Sequence, residues 1–138
     1  RWMVLCDSPV KIICDTGHNV GGWTWLGPAL AKIAEQGKLH MVLGFVNDKD
    51  VTAIMRFMPG NAIYYFAKPG VNRGREASST AEIAAAAGLY GSPYDTVEEA
   101  FITARNAAVP GDTIFVGGST FVVADLLSLK EQNDAYIF

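Results

Sequence analysis

The 138-residue sequence predicts a three-layer α/β domain, with helices on both faces of a mainly parallel sheet of about six strands. Short apolar, β-favouring runs such as Ile12-Ile13-Cys14, Met41 to Phe45 and Thr113 to Val116 alternate with segments of helical period. Half of the residues are hydrophobic and only 18% are charged, which suits strands covered on both faces better than a solvated bundle. Two of the runs lead into the polar, glycine-rich turns Asp15 to Gly22 and Gly117 to Thr120. An open α/β sheet presents its ligand-binding loops at such strand ends.

Met3 to Leu5 and Lys11 to Cys14 read as two short strands joined by the turn Asp7-Ser8-Pro9. Trp23 to Gln36 reads as a helix, with Leu26, Leu30, Ile33 and Ala34 on one face and Gly37 as its stop; Pro28 leaves its first turn open. Met41 to Phe45 is the next strand, and Asn47-Asp48-Lys49-Asp50 caps a helix from Val51 to about Phe57. A strand over Ala62 to Phe66 and a charged loop from Lys68 to Glu76 follow. Ser79-Thr80-Ala81-Glu82 has the form of a capping box opening an alanine-rich helix that stops at Gly88, and Asp95 to Glu98 opens another that runs to about Ala107. Thr113 to Val116 is a last strand, and Phe121 to Leu129 a last helix.

At this length about 68 to 70% of the unfolded surface is buried on folding, enough for one core without staples. A net charge of −3, with no clustering of basic or aromatic residues, argues against nucleic acid as a partner. Cys6 and Cys14 form neither a CxxC pair nor a metal-spaced set with histidines, so a reduced, cytoplasmic protein is expected. No apolar run reaches the roughly 20 residues of a membrane span, and the first residues lack the order of a signal peptide; no membrane partner is expected. The start at Arg1, running at once into strand-like sequence, is what a piece of a longer chain would show.

Asp15, His18 and Asn19 place a carboxylate, an imidazole and an amide at one strand end, where they can bind a ribose hydroxyl, a phosphate or an amine. The alternative is that Asp15 only caps the turn. Gly117-Gly118-Ser119-Thr120 can hold an anion at a helix start or serve as a close-packing turn. It is not G-x-S-x-G, so a triad of Ser119, His18 and Asp15 has no nucleophile-elbow support. His40 reads as a satisfied edge histidine, Asp48-Lys49-Asp50 mainly as a helix cap, and Arg73 and Arg75 as solvated loop residues within reach of an anionic substrate. Neither G-x-x-x-x-G-K-[ST] nor G-x-G-x-x-G occurs, so the chain has no triphosphate grip of its own.

Together, Asp15-Thr16-Gly17-His18-Asn19, Leu43 to Asp50 and Gly118 to Asp125 resemble, in order, the D-x-A-H-N-P, G-x-x-x-D-K-D and G-S-x-F-V-V segments of the Mur ligase superfamily's C-terminal domain, in its folylpolyglutamate synthase/dihydrofolate synthase branch. Arg1-Trp2 resembles the G-R-[FW] that precedes the first of them. The resemblance implies a Rossmann-like C-terminal domain, residues 1–138, of an ATP-dependent ligase. That enzyme would activate a pteroate or folate carboxylate as an acyl phosphate and join it to L-glutamate. The phosphate loop and most of the Mg²⁺ ligation would belong to the enzyme's own N-terminal ATPase domain, leaving this piece inactive by itself and without a metal ligand. On this resemblance Arg1 and Asp15 contact the ribose or adenine side of ATP, His18 and Ser119 place the glutamate or the reacting groups, and Asn19 joins Ser119 in substrate binding. Val20 stands where the family has proline and Gly17 where it has alanine, and the loop around Arg73 is longer than the family's. Another Mur-type amino-acid ligase, or a stand-alone small-molecule binding module, are the alternative readings.

Overall fold

The computed structural model describes the backbone of residues 2–137 and the side chains through Gln132. Strands β1 (Met3–Cys6) and β2 (Lys11–Asp15) pair antiparallel, with Met3 opposite Cys14. Then follow α1 (Val20–Ala34), β3 (Leu39–Leu43), α2 (Val51–Met55), β4 (Ile63–Ala67), α3 (Ala77–Ala86), β5 (Gly91–Tyr94), α4 (Val97–Ala107), β6 (Thr113–Gly117) and α5 (Thr120–Ile137). The order across the sheet is β1-β2-β6-β3-β4-β5, and every pair after the first is parallel.

β3 and β6 are buried along their whole length, as central parallel strands covered on both faces should be. The two-residue period of the strands sorts the core into two layers. Ile13, Met41, Leu43, Phe66 and Phe115 pack with Trp23, Leu26 and Leu30 of α1, Ile54 of α2 and Ala84 of α3. Ile12, Cys14, Val42, Tyr65 and Val116 pack on the other face with Phe101 and Ala104 of α4 and Val122 and Leu126 of α5. Each large side chain so buried contributes about 1.5–3 kcal/mol relative to exposure. The chain leaving β6 thus turns to the opposite face from the chains leaving β2 and β3, although β6 lies between them. This divergence opens a crevice at the carboxyl ends of the three strands.

The α/β reading of the sequence holds, and several boundaries move. Strand β5 has no counterpart in the sequence reading, because Gly91-Ser92-Pro93-Tyr94 lacks β-favouring residues apart from Tyr94. It is an edge strand, where Pro93 can pair opposite Phe66 without a second neighbour to serve. Helix α1 starts three residues earlier than the pattern predicts, on the Asn19 cap, and carries Pro28 on its exposed face, where it withholds a helical N–H from Thr24, itself an exposed residue. Helix α3 starts at Ala77, so Ser79 to Glu82 is not a capping box. Just before it the Arg75 N–H donates to the Phe45 carbonyl at 2.8 Å, which holds the chain extended up to Glu76, and an exposed Lys68–Glu76 ion pair lies alongside at 2.8 Å. Helix α5 continues well past Leu129, since Lys130-Glu131-Gln132 are good helix formers with no glycine or proline stop.

Candidate functional site

The turn after β2 is built by its own polar groups. The Asp15 carboxylate, 8% exposed, accepts the Gly17 N–H at 3.0 Å, closing a local turn of the kind aspartate favours. Gly17 lies at φ +47°, and a Cβ there would come within 3.0 Å of the Trp23 ring, whose indole N–H donates to the Gly17 carbonyl. Asn19 is extended and caps α1 by accepting the Gly22 N–H at 2.8 Å. His18 lies exposed between them, with Nδ1 3.3 Å from Thr16 Oγ1 and Nε2 3.4 Å from Asn19 Nδ2.

Asp15 is in register with Gly117 of β6, which is also in register with Leu43 of β3, so the three loops begin side by side. The Gly118 N–H donates to the Thr16 carbonyl at 2.8 Å, and at φ +103° a Cβ on Gly118 would lie 2.4 Å from the Gly44 carbonyl oxygen. Glycine is required here because three backbones meet. Ser119, 3% exposed, caps α5 by accepting the Phe121 N–H on Oγ at 3.1 Å. His18 bonds to Thr16 and Asn19 rather than to Asp15 or Ser119, so the residues do not assemble into a charge-relay triad.

Two hollows flank this turn. One, of about 370 Å³, is lined by Asp15, Thr16, Gly17, His18, Asn19, Gly22, Trp25 and Leu26. The other, of about 360 Å³, is lined by His18, Asn19, Val20, Gly21, Asp48, Lys49, Asp50 and Ile54. His18 and Asn19 line both and stand between them. Trp25 is 57% exposed and presents a flat apolar wall to the first hollow; its place off the buried stripe of α1 was the signal that reading the sequence for charged groups passed over. In the second, Asp50 is engaged as the α2 cap, accepting the Ala53 N–H at 3.1 Å, and Asp48 lies 4.0 Å from Arg73. Lys49 is half-buried and is the cationic side chain of that lining among the described residues.

Arg73 is exposed and stacks its guanidinium 5.4 Å above the Phe121 ring at the start of α5. Arg75 is half-buried rather than solvated. Arg1 lies outside the described residues. His40 belongs to the other end of the sheet and to a central strand, not an edge. Its Nδ1 is 2.9 Å from the Tyr65 hydroxyl and its Nε2 3.0 Å from Asp112 Oδ2, all buried. Burial, helped by the Asp15 charge beside it, pushes the Cys14 thiol up to about 11, so it is a core group and no nucleophile. Among the described residues no group of three or more His, Cys, Asp or Glu converges as a metal site, and no helix is long and apolar enough to cross a membrane.

Residues 1–120 match the family described as Mur ligase, glutamate ligase domain. A dihydrofolate synthase/folylpolyglutamate synthase of Buchnera aphidicola subsp. Schizaphis graminum is 24% identical over 135 residues, covering 96% of this chain and 31% of that protein. Among solved structures, E. coli FolC in complex with ADP, without folate substrate, has a TM-score of 0.85 at 25% identity, covering 96% of this chain and 31% of that one. A bifunctional folylpolyglutamate synthase/dihydrofolate synthase with Mn, AMPPNP and L-glutamate bound has a TM-score of 0.81 at 26% identity, covering 95% and 31%. The chain spans 31% and 30% of the lengths of two curated relatives it matches. With the family's match running through the turn after β2, the Lys49 loop and the start of α5, the chain belongs to the Mur ligase, glutamate ligase domain family.

Proposed function

We propose that this chain is the C-terminal domain of a cytoplasmic ATP-dependent folate ligase that adds L-glutamate to dihydropteroate or to folylpolyglutamate, and that it supplies one wall of an active site shared with an N-terminal ATPase domain. The observation that carries this reading is the pair of hollows meeting at His18 and Asn19. A ligase must bring an activated carboxylate and an amine together, and a shared partition is where two ligands held separately would touch.

In the first hollow the Asp15 carboxylate suits ribose hydroxyls and the exposed Trp25 ring suits a flat heteroaromatic base, which makes this the nucleotide side. In the second, Lys49 offers an ammonium to a carboxylate of the amino acid, while His18 and Asn19 orient the reacting ends. Ser119 lines neither hollow; it caps α5 directly after Gly118, whose N–H meets the Thr16 carbonyl, and its proposed part is to hold the start of α5 against the turn. ATP, when bound, supplies the phosphoryl group that activates the acid. The residues of this chain bind and orient, and Mg²⁺ ligation is proposed to rest mainly with the ATPase domain. The relative solved with Mn, AMPPNP and L-glutamate bound supports this choice of ligands.

The test is ATP hydrolysis by the protein in which this chain follows its ATPase domain. Turnover should require both L-glutamate and dihydropteroate or a folate, and the isolated chain should be silent. Glutamate-independent turnover, or equal activity of the isolated chain, would overturn the reading.

A further inference from the structure

The Asp48-Lys49-Asp50 turn has little secondary structure of its own, yet it forms part of the wall of the second hollow. It is held from within by the Lys49 N–H to Val46 carbonyl bond at 3.2 Å, the Val51 N–H to Lys49 carbonyl bond at 3.0 Å and the Asp50 cap, and from outside by the neighbouring loop between β4 and α3. Val46 and Gly74 form an isolated antiparallel bridge, the Asn47 N–H donates to the Arg73 carbonyl at 2.8 Å, and the Arg75 N–H donates to the Phe45 carbonyl at 2.8 Å. The side chain of Arg75 then reaches into the turn itself. Its Nη2 donates to the Asn47 carbonyl at 3.1 Å and lies 3.5 Å from the Lys49 carbonyl, while Nη1 donates to Ser79 Oγ at 3.3 Å on the first turns of α3. Its Nε is buried without a hydrogen-bond partner, so the group is held there despite an unmet donor.

We propose that Arg75 is a positioning residue for the ligase reaction: its planar fork ties the Lys49 turn to α3 and thereby sets the Lys49 ammonium across the hollow from His18 and Asn19. The role rests on the glutamate-ligase reading above. A guanidinium suits it because one rigid group spans two loop carbonyls and a helix hydroxyl, which a single-point ammonium cannot do. Arg75 is not part of the hollow's lining and acts through the backbone at Asn47 and Lys49. Its loss should therefore weaken amino-acid binding and leave the nucleotide side intact.

The experiment compares wild type, Arg75→Ala and Arg75→Lys in the protein that includes the ATPase domain, reading amide hydrogen exchange at residues 47–50 and steady-state kinetics. In Arg75→Ala, exchange at 47–50 should accelerate and the KM for L-glutamate rise by about tenfold to a hundredfold, with the KM for ATP within about twofold of wild type. Arg75→Lys should fall between, and millimolar guanidinium should restore part of the glutamate KM in Arg75→Ala only. Unchanged exchange or an unchanged glutamate KM in Arg75→Ala overturns the positioning role while the wild-type activity leaves the ligase reading standing. Equal rises in both KM values with a lowered melting temperature reduce Arg75 to a fold contact and overturn it too. A wild type without glutamate-dependent turnover overturns the ligase reading and this role with it, whatever the exchange shows of the loop.

Discussion

The indole N–H of Trp23 donates to the Gly17 carbonyl, so a fully buried side chain of α1 is fastened to the turn that separates Asp15 from His18. Trp23 also meets Phe115 of β6 edge to face, at 5.8 Å between ring centres. The site turn is thereby tied to the core on one side and to the central strand on the other. Trp23→Phe keeps an aromatic ring but leaves the Gly17 carbonyl without its donor, at a cost of about 1–3 kcal/mol. Thermal unfolding of the chain should show a clear drop in midpoint, and an unchanged midpoint would show that the bond does not support the turn.

At the opposite end of the sheet, Asp112 accepts from His40 Nε2 at 3.0 Å and from the Val109 N–H at 3.1 Å. Burial alone pushes its carboxyl up, but the bonds from His40 and Val109, with the attraction of the imidazole, outweigh burial and hold it below its ordinary value. As pH falls the unfolded chain therefore takes up this proton before the folded one does. The contribution of Asp112 is present above about pH 4 and is lost as pH falls through its lowered folded value. Urea unfolding from pH 6 to pH 2.5 should find Asp112→Asn less stable by about 1–3 kcal/mol at pH 6, with the gap closing toward the acid end. A gap that stays constant with pH would contradict this.

Val20 is the first residue of α1, directly after the Asn19 cap. This explains how the chain does without the proline of the resembled signature: proline is favoured at that position because its missing N–H would have had no helical partner. Val20→Pro should therefore keep the fold, with stability within about 1 kcal/mol of wild type in urea unfolding. A loss well beyond that would mean that the Val20 N–H or its packing on the core is needed.

The strands that carry the site were readable because burial on both faces demands continuous apolar runs, and Ile12-Ile13-Cys14 and Thr113 to Val116 are such runs. The turn at Asp15 was readable for the complementary reason, that polar groups and glycines break an apolar run sharply. Strand β5 was not, since Gly91 is there for space: a Cβ would lie 2.2 Å from the Tyr64 carbonyl oxygen. The start of α3 differs from the local capping pattern because the backbone of Arg75 is bonded to Phe45, far away in sequence, which no local pattern encodes. For the same reason Arg75 looked solvated, whereas its partners Asn47 and Lys49 lie 28 and 26 residues away. His40 could be read as satisfied, but its place in a central strand follows from the sheet order, which the sequence pattern leaves open.

The proposed role of the turn from Asp15 to Asn19 is to complete an ATP-dependent glutamate ligase site. Its most direct test is glutamate-dependent ATP turnover of Asp15→Ala and His18→Ala in the protein that includes the ATPase domain, with thermal unfolding measured on the same samples. Each variant should lose about a hundredfold of kcat/KM through lost positioning, with His18→Ala melting close to wild type because the imidazole is exposed. Wild-type turnover in both variants, with the fold intact, would contradict it.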